Sequence, residues 1–324
     1  YNSSNLCGCP VLRYAMSELI KELDAYNNNK PSAVAFGVFD GVHLGHQHVL
    51  QTLRETANEK QLLPIVVTLA NHPLSVLRPG TKINMLSSLE KRLDLIRSTG
   101  VNVVIPITFS KQLSMLSPST FMSTLKTKLH MNHFVAGKDV AIGHNRSGDF
   151  KTLTQLGSEV GYSIECVNQF NLGDQSVRST VIREALNHGN LPLANQLLGR
   201  YFSIEGSVIH GEGIGQKMLG YPTANLSVSS AQALPSDGIY ATLLKYEDKL
   251  LPSATSIGKK PTLHDNAPLT IETFIFDFDS ILYEKNVELQ FVELIRNQEK
   301  FNSVNLLIKA IERDVIEAKR VLGV

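Results

Sequence analysis

Between residues 32 and 198, short apolar runs alternate with stretches in which apolar positions recur every three or four residues. Residues 33–39 (AVAFGVF), 62–69 (LLPIVVTL) and 101–107 (VNVVIPI) read as buried strands, and residues 133–136 and 163–167 as shorter ones. A helix is predicted over residues 43–59. Ser87 and Glu90 have capping-box spacing, and Leu89, Leu93 and Ile96 continue a helical stripe. Ser117 followed by Pro118 reads as an N-cap with proline in the first helical position, with Phe121, Leu125 and Leu129 on one face. Strands alternating with helices predict a doubly wound parallel sheet with helices on both faces.

After Gly199 the rhythm changes. Residues 202–210, 238–246, 249–256, 270–278 and 287–294 read as strands, punctuated by Gly, Pro and Asp. Helical spacing returns only after Ser303, with Val304, Leu307, Ile308, Ile311 and Val315. Strands joined by turns predict a small antiparallel barrel, closed or covered by the terminal helix. The boundary falls near residues 198–200, giving domains 1–198 and 199–324. No internal repeat or low-complexity tract interrupts either.

Composition agrees with two domains, since 324 residues at about 150 per domain make two. Apolar residues are 43 %, enough for two cores and far from the signature of disorder. Lys plus Arg (31) nearly balances Asp plus Glu (30), so nothing points to nucleic acid, while a small phosphorylated ligand needs only a local site. No apolar run reaches the ~18 residues of a membrane span. The first residues have neither the basic nor the apolar region of a signal peptide. Three cysteines, Cys7, Cys9 and Cys166, suit a reducing cytoplasm better than a disulfide framework, and Cys7-Gly-Cys9 has no partner pair for zinc. The residues carry no signal of oligomeric state.

The first chemical constellation is Gly37-Val38-Phe39-Asp40-Gly41-Val42-His43-Leu44-Gly45-His46. Here a strand ends, glycines allow a tight turn and a helix begins. In a doubly wound sheet ligands sit beyond the carboxyl ends of strands, and helix N-terminal amides favour phosphate. His43 and His46, three apart, face the same way on a helical start. Beside a triphosphate they would be held protonated or would donate hydrogen bonds, stabilising charge on phosphoryl oxygens without a covalent intermediate. The spacing is neither a Walker loop nor the dinucleotide Gly-x-Gly-x-x-Gly. Further along, Ser179 and Thr180 open a helix and offer hydroxyls to phosphate, and Arg183 can reach the same anion with a bidentate fork. A tight turn with surface histidines, and a helix cap with a surface arginine, are the bland readings.

The second constellation runs from His210 to Asn225. Gly211, Gly213 and Gly215 let backbone approach a nucleotide phosphate, Lys217 offers a point charge, and Gly220 precedes Tyr221-Pro222-Thr223-Ala224-Asn225. Thr223 and Asn225, two apart on an extended segment, present oxygens to one side, as Mg²⁺ with substrate phosphates requires. Glu272 shares a strand face with Phe274, Phe276 and Phe278. Partial burial on such a face raises a carboxylate's proton affinity and suits it to take a proton from an alcohol. A flexible hairpin and an exposed glutamate are the alternatives. Arg296 either touches substrate or solvates a helix.

GVFDGVHLGH resembles the His-x-Gly-His motif of nucleotidyltransferases. Across residues 32–324 the chain resembles the bifunctional riboflavin kinase/FMN adenylyltransferases. Asn71-His72-Pro73 stands where that family has a Pro-His-Pro-like segment, and Leu197-Leu198-Gly199-Arg200 matches its junction. Arg178-Ser179-Thr180-Val181-Ile182-Arg183 matches its Ser-Ser-Thr-x-Ile-Arg, with Arg178 replacing the first Ser. Gly-Tyr-Pro-Thr-Ala-Asn resembles the kinase signature Gly-Phe-Pro-Thr-Ala-Asn, and residues 256–262 its Ile-Gly-x-x-Pro-Thr turn. The resemblance implies a Rossmann-like nucleotidyltransferase domain followed by a barrel kinase domain, with ATP as co-substrate, Mg²⁺, and riboflavin, FMN and FAD as substrates or products. It implies Gly37, Phe39, Asp40, Gly41, Ser179, Thr180 and Arg183 around one nucleotide. It implies Thr223 and Asn225 at Mg²⁺, Glu272 as base, and His43 and His46 at the transferred phosphoryl group.

The chain departs from the family after the strand at residues 133–136. The family's Gly-x-Asp-Phe-Arg-Phe-Gly is here Gly137-Lys138-Asp139-Val140-Ala141-Ile142-Gly143, keeping Asp139 for flavin or nucleotide and losing two aromatics and an arginine. A kinase with an impaired transferase is therefore the alternative to a two-step enzyme, and a non-catalytic flavin-binding regulator is a third possibility.

Overall fold

The computed structural model describes residues 10–26, 29–210, 221–259 and 269–324. The chain divides into two compact units, Tyr1–Ile83 with Leu89–Val177, and Asn84–Ser88 with Arg178–Val324.

The first unit runs α1 (Pro10–Asp24), β1 (Ser32–Gly37), α2 (Leu44–Glu59), β2 (Leu63–Leu69), α3 (Pro73–Leu77), α4 (Leu89–Ser98), β3 (Val103–Ile107), α5 (Pro118–Leu129), β4 (Met131–Gly137), α6 (Phe150–Val160), β5 (Ser163–Val167) and a hairpin of β6 (Asn171–Leu172) and β7 (Gln175–Ser176). The five main strands are parallel in the order β3-β2-β1-β4-β5. Strand β1 shows why its sequence reads as a continuous apolar run: Ala33 and Ala35 enter the core on one face, Val34 and Phe36 that on the other. The alternate alanines let α2 pack close. Ala15, Leu19 and Leu23, four apart, bury α1 in the second core, a helix the sequence reading did not anticipate. Ser117 caps α5 as expected, its side chain accepting from the Thr120 amide with Pro118 in the first turn. The order reverses at β1, whose neighbours are β2 and β4. That opens the ligand crevice of such sheets beyond the carboxyl ends of β1 and β4.

The second unit contains α7 (Ser179–Asn187), α8 (Leu191–Leu198), β8 (Phe202–Ile209), β9 (Ala224–Val228), β10 (Gly238–Tyr246), β11 (Lys249–Lys259), β12 (Leu269–Ile275), β13 (Asn286–Asn297) and α9 (Val304–Leu322). Six strands close a barrel in the order β10-β11-β12-β9-β8-β13. Strand β12 ends at Ile275, short of the expected residue 278, because Asp277 takes a left-handed turn (φ 51°). The interior is partly polar. Thr242, Ser253, Thr255 and Thr273 are fully buried and bond one another, Thr242 to Ser253 and Thr255 at 2.8 Å and Thr255 to Thr273 at 2.9 Å.

Helix α9 lies on the outer face, against Ala241, Ala254 and Phe276. Its buried line is Ala310, Asp314 and Ala318, while the apolar stripe read from the sequence is only half-buried or exposed. Small residues bring the helix close, and Asp314 is admitted because Arg296 grips it with two bonds of 2.7 Å. Of the two readings of Arg296, its contacts are those of a helix anchor.

Helices α7 and α8 pack with the barrel unit. The Asn195 side chain donates to the Phe291 carbonyl (3.0 Å) and accepts from the Phe202 amide (2.6 Å). Residues 84–88, drawn from the middle of the first unit's sequence, join this unit too. The Met85 amide bonds the Ala231 carbonyl and the Ala233 amide bonds the Met85 carbonyl, both at 2.7 Å.

Candidate active sites

Beyond β1 the backbone turns through the left-handed region at Phe39 (φ 50°), Gly41 (φ 74°) and Val42 (φ 40°). For Phe and β-branched Val this costs on the order of 1–3 kcal/mol each and persists only where surroundings enforce it. Phe39, Asp40, Gly41 and Val42 are all buried. The Val38 carbonyl at the turn's entry accepts from Thr68 Oγ1 (3.1 Å) and Arg92 Nη1 (3.0 Å). The Val42 carbonyl at its exit accepts from Gln47 Nε2 (3.0 Å). Gly37 stands where a Cβ would come within 3.2 Å of the Phe39 ring.

The turn delivers His43 to the N-cap of α2, where its Nδ1 accepts the His46 amide at 3.3 Å. Nδ1 thereby carries a lone pair, leaving Nε2 to hold the ring proton of the neutral imidazole. His46 stacks on His43 with ring centroids 3.7 Å apart, and Phe39 meets it edge-on at 5.2 Å. Burial, then His43, then Arg92 hold the His46 pKa well below the usual histidine value. Buried and disfavoured from taking a charge, the His46 imidazole is neutral at neutral pH. His46 Nδ1 is buried with no hydrogen-bond partner among the described residues, an open valence suited to a substrate group or water. Gly45 between them cannot be larger, because a Cβ would stand 3.1 Å from the Val177 carbonyl and 3.2 Å from the His43 ring.

Arg92 was not anticipated. It lies on the α4 face shared with Leu89 and Ile96, where a long cation in an apolar stripe was the available signal. Asn71, from the Asn-His-Pro segment, joins the ends of β2 and β3 by pairing both polar atoms of its side chain with the Phe109 backbone (2.8 and 2.9 Å).

Asp139 is exposed just past β4, at the crevice side of the sheet. The departing residues after it turn inward: Ile142 is buried in the core and Val140 packs against it. Ile142 and Gly148 exchange backbone bonds of 3.0 and 2.8 Å that close the loop. In the second unit, Ser179 and Thr180 are the first two residues of α7, and Arg178, extended and without a side-chain cap bond, holds the cap position expected of Ser179. Arg183 Nε donates to the Asn84 carbonyl at 2.7 Å.

On the barrel, Glu272 of β12 lies directly opposite Asn225 of β9 and Ser256 of β11. Direct cross-strand partners share a face, and the alternating burial of Ile271, Thr273 and Ile275 puts Glu272 on the outer one. Thr223 comes just before β9, two residues ahead of Asn225, and the Tyr221 ring meets Phe274 edge-on at 5.0 Å. Gln298 Nε2 donates to Ser256 Oγ at 2.9 Å, a neighbour of the site that the sequence reading passed over. Gly211, Gly213, Gly215, Lys217 and Gly220 lie outside the described residues. Among the described residues no cluster of three His, Cys, Asp or Glu could hold a metal by itself. The amide oxygen of Asn225 opposite the Glu272 carboxylate, with the Thr223 hydroxyl two residues before it in sequence, is a donor set that fits Mg²⁺, which takes few protein ligands and completes its shell with water and phosphate.

The family model for FAD synthetase matches residues 25–181, and that for riboflavin kinase matches residues 198–322. A bifunctional riboflavin kinase/FMN adenylyltransferase of Bacillus subtilis (strain 168) is 35 % identical over 306 residues, 93 % of this chain and 94 % of the relative. The protein of the same description from Escherichia coli (strain K12) is 32 % identical over 90 % of this chain and 92 % of its own. A crystal structure described as a macrolide-efflux protein from Streptococcus pneumoniae superposes with a TM-score of 0.84 at 27 % identity, covering 92 % of this chain and 96 % of that one. No helix among the described residues is long and apolar enough to cross a membrane. With both family models matched in order and likeness to curated relatives along nearly the whole length, the chain belongs to the bifunctional riboflavin kinase/FMN adenylyltransferase family.

Proposed function

We propose that the chain phosphorylates riboflavin to FMN with ATP in its second domain and joins FMN to the AMP part of another ATP in its first, giving FAD and pyrophosphate. The functional boundary is put at 198/199, supported by the start of the riboflavin kinase match at residue 198. One observation carries the reading: the chain holds two chemically distinct centres, a stacked histidine pair in one unit and a carboxylate–amide pair in the other.

In the kinase half, Glu272 takes the proton of the ribityl hydroxyl as its oxygen attacks the γ-phosphorus of ATP, the bond to the β,γ-bridging oxygen breaks and ADP leaves. Thr223 and Asn225 would hold Mg²⁺ with the phosphates. Mg²⁺, when bound there, offsets the charge of the triphosphate. In the transferase half, the FMN phosphate attacks the α-phosphorus of ATP directly and pyrophosphate leaves. His43 and His46 donate to the phosphoryl oxygens as charge builds. Gly37, Phe39, Asp40 and Gly41 shape the nucleotide pocket and Asp139 meets the flavin or the nucleotide, while the resemblance alone gives Ser179, Thr180 and Arg183 as phosphate-binding candidates. A cytoplasmic location suits this metabolism.

The test is a time course with riboflavin, ATP and Mg²⁺ and chromatographic separation of the flavins. FMN followed by FAD is the expected result. FMN alone would point to a kinase whose altered residues 140–142 have silenced the transferase, and bound riboflavin without product to a regulator.

A further inference from the structure

Arg92 is the largest fully buried side chain of the described residues, only 1 % exposed. Nη1 bonds the Val38 carbonyl at 3.0 Å and Nη2 the Ala70 carbonyl at 2.9 Å, tying together the chain just past β1 and β2. Nε is buried with no partner among the described residues. A guanidinium is an expensive way to join two strands, since burying a cation costs several kcal/mol unless its charge is used or paired. Two features say what it is used for. Val38 is the entry to the strained Phe39–Val42 turn, so the grip fixes the turn that aims His43. And the charge stands within electrostatic reach of His46, with buried Asp40 as the principal countercharge and Glu90 beyond it.

We infer that Arg92 is a positioning residue for adenylyl transfer, holding the Phe39–Val42 turn through the Val38 carbonyl and setting a fixed positive charge near the His46 imidazole. The inference rests on the proposed role of the histidine pair. The charged and titratable groups around His46 are His43 on its own helix, Asp40 in the turn, and Arg92 with Glu90 on α4. Removing the Arg92 charge removes one of the influences that lower the His46 pKa, so the imidazole then titrates at higher pH.

The test uses the full chain and follows FAD formation from FMN and ATP across pH, with FMN formation from riboflavin as an internal control of folding. Arg92→Met is expected to lower kcat on the order of tenfold to a hundredfold with little change in the KM for ATP. It should also move the acid limb of the profile to higher pH, with the His46 ring resonance in NMR moving in step. Arg92→Lys keeps the charge with a poorer grip, so it should restore the acid limb and only part of kcat. An unshifted acid limb and His46 titration in both variants, whatever happens to kcat, overturns the inference. If Arg92→Met fails to fold, Arg92→Lys decides: a shifted acid limb despite retained charge overturns it, an unshifted one with reduced kcat upholds it. His46→Ala separates the two levels. Full FAD formation by His46→Ala sinks the histidine reading itself, whereas its loss beside a normal Arg92→Met sinks the Arg92 inference alone.

Discussion

Glu272 and Asn225 face each other directly across β12 and β9, with Ser256 on the other flank of the carboxylate. The pairing brings a carboxylate and a side-chain amide from residues 47 positions apart to one outer face of a closed barrel. If Asn225 helps hold Mg²⁺ and phosphate, Asn225→Ala raises the Mg²⁺ concentration needed for FMN formation and lowers its kcat by about tenfold or more. A Mg²⁺ titration of riboflavin phosphorylation measures both, and an unchanged requirement would remove Asn225 from the metal.

The depressed pKa of His46 has a consequence for stability. The folded ring resists protonation, while the unfolded chain takes up a proton below the ordinary histidine value of 6.5. The unfolded state therefore binds more protons in that window. Stability is unaffected above it and falls as pH drops from about 6.5 toward the lowered folded value. Urea unfolding at several pH values should show wild type losing stability on acidification faster than His46→Gln. His133, whose pKa is also lowered, chiefly by burial, is common to both proteins and cancels. Parallel stability curves would contradict a neutral, buried His46.

Gly45 is held by geometry, since a Cβ would strike the Val177 carbonyl and the His43 ring. Gly45→Ala should reduce FAD formation by about tenfold or more through a displaced His43, with FMN formation intact. Equal activity in both steps would show that the helix start can relax.

The Arg296–Asp314 pair anchors α9 to the barrel, with side chains only 21 % and 9 % exposed. Asp314→Ala leaves the guanidinium without its partner and should destabilise the second unit by about 2 kcal/mol. Changing both residues, Asp314→Leu with Arg296→Met, should cost less. Denaturant melts followed by hydrogen exchange in α9 would reveal the difference, and an additive double mutant would contradict the coupling.

Local periodicity carried the reading where one face or both faces of an element pack. Strand β1 shows this in alternating Ala and Val, and α5 in Ser117-Pro118 and the Phe121–Leu125–Leu129 line. It missed features fixed by distant partners. Arg92 sits in a stripe of apolar residues, and its acceptors are carbonyls 54 and 22 positions away, which no side-chain pattern encodes. The inward line of α9 passes through Asp314 because of Arg296, not because of hydropathy. The pairing of Met85 with residues 231 and 233 likewise has no local mark. The histidine pair and the Glu272 face were legible as residues. The His43 cap, the stacking and the neutral His46 needed the fold.

The central claim is two chemistries at two separate centres, and Glu272→Gln tests it most directly. The substitution preserves shape and removes the base. Given riboflavin, ATP and Mg²⁺, the variant should make neither FMN nor FAD; given FMN, ATP and Mg²⁺, it should make FAD at the wild-type rate. Loss of FAD formation from supplied FMN, or retained phosphorylation of riboflavin, would contradict the account.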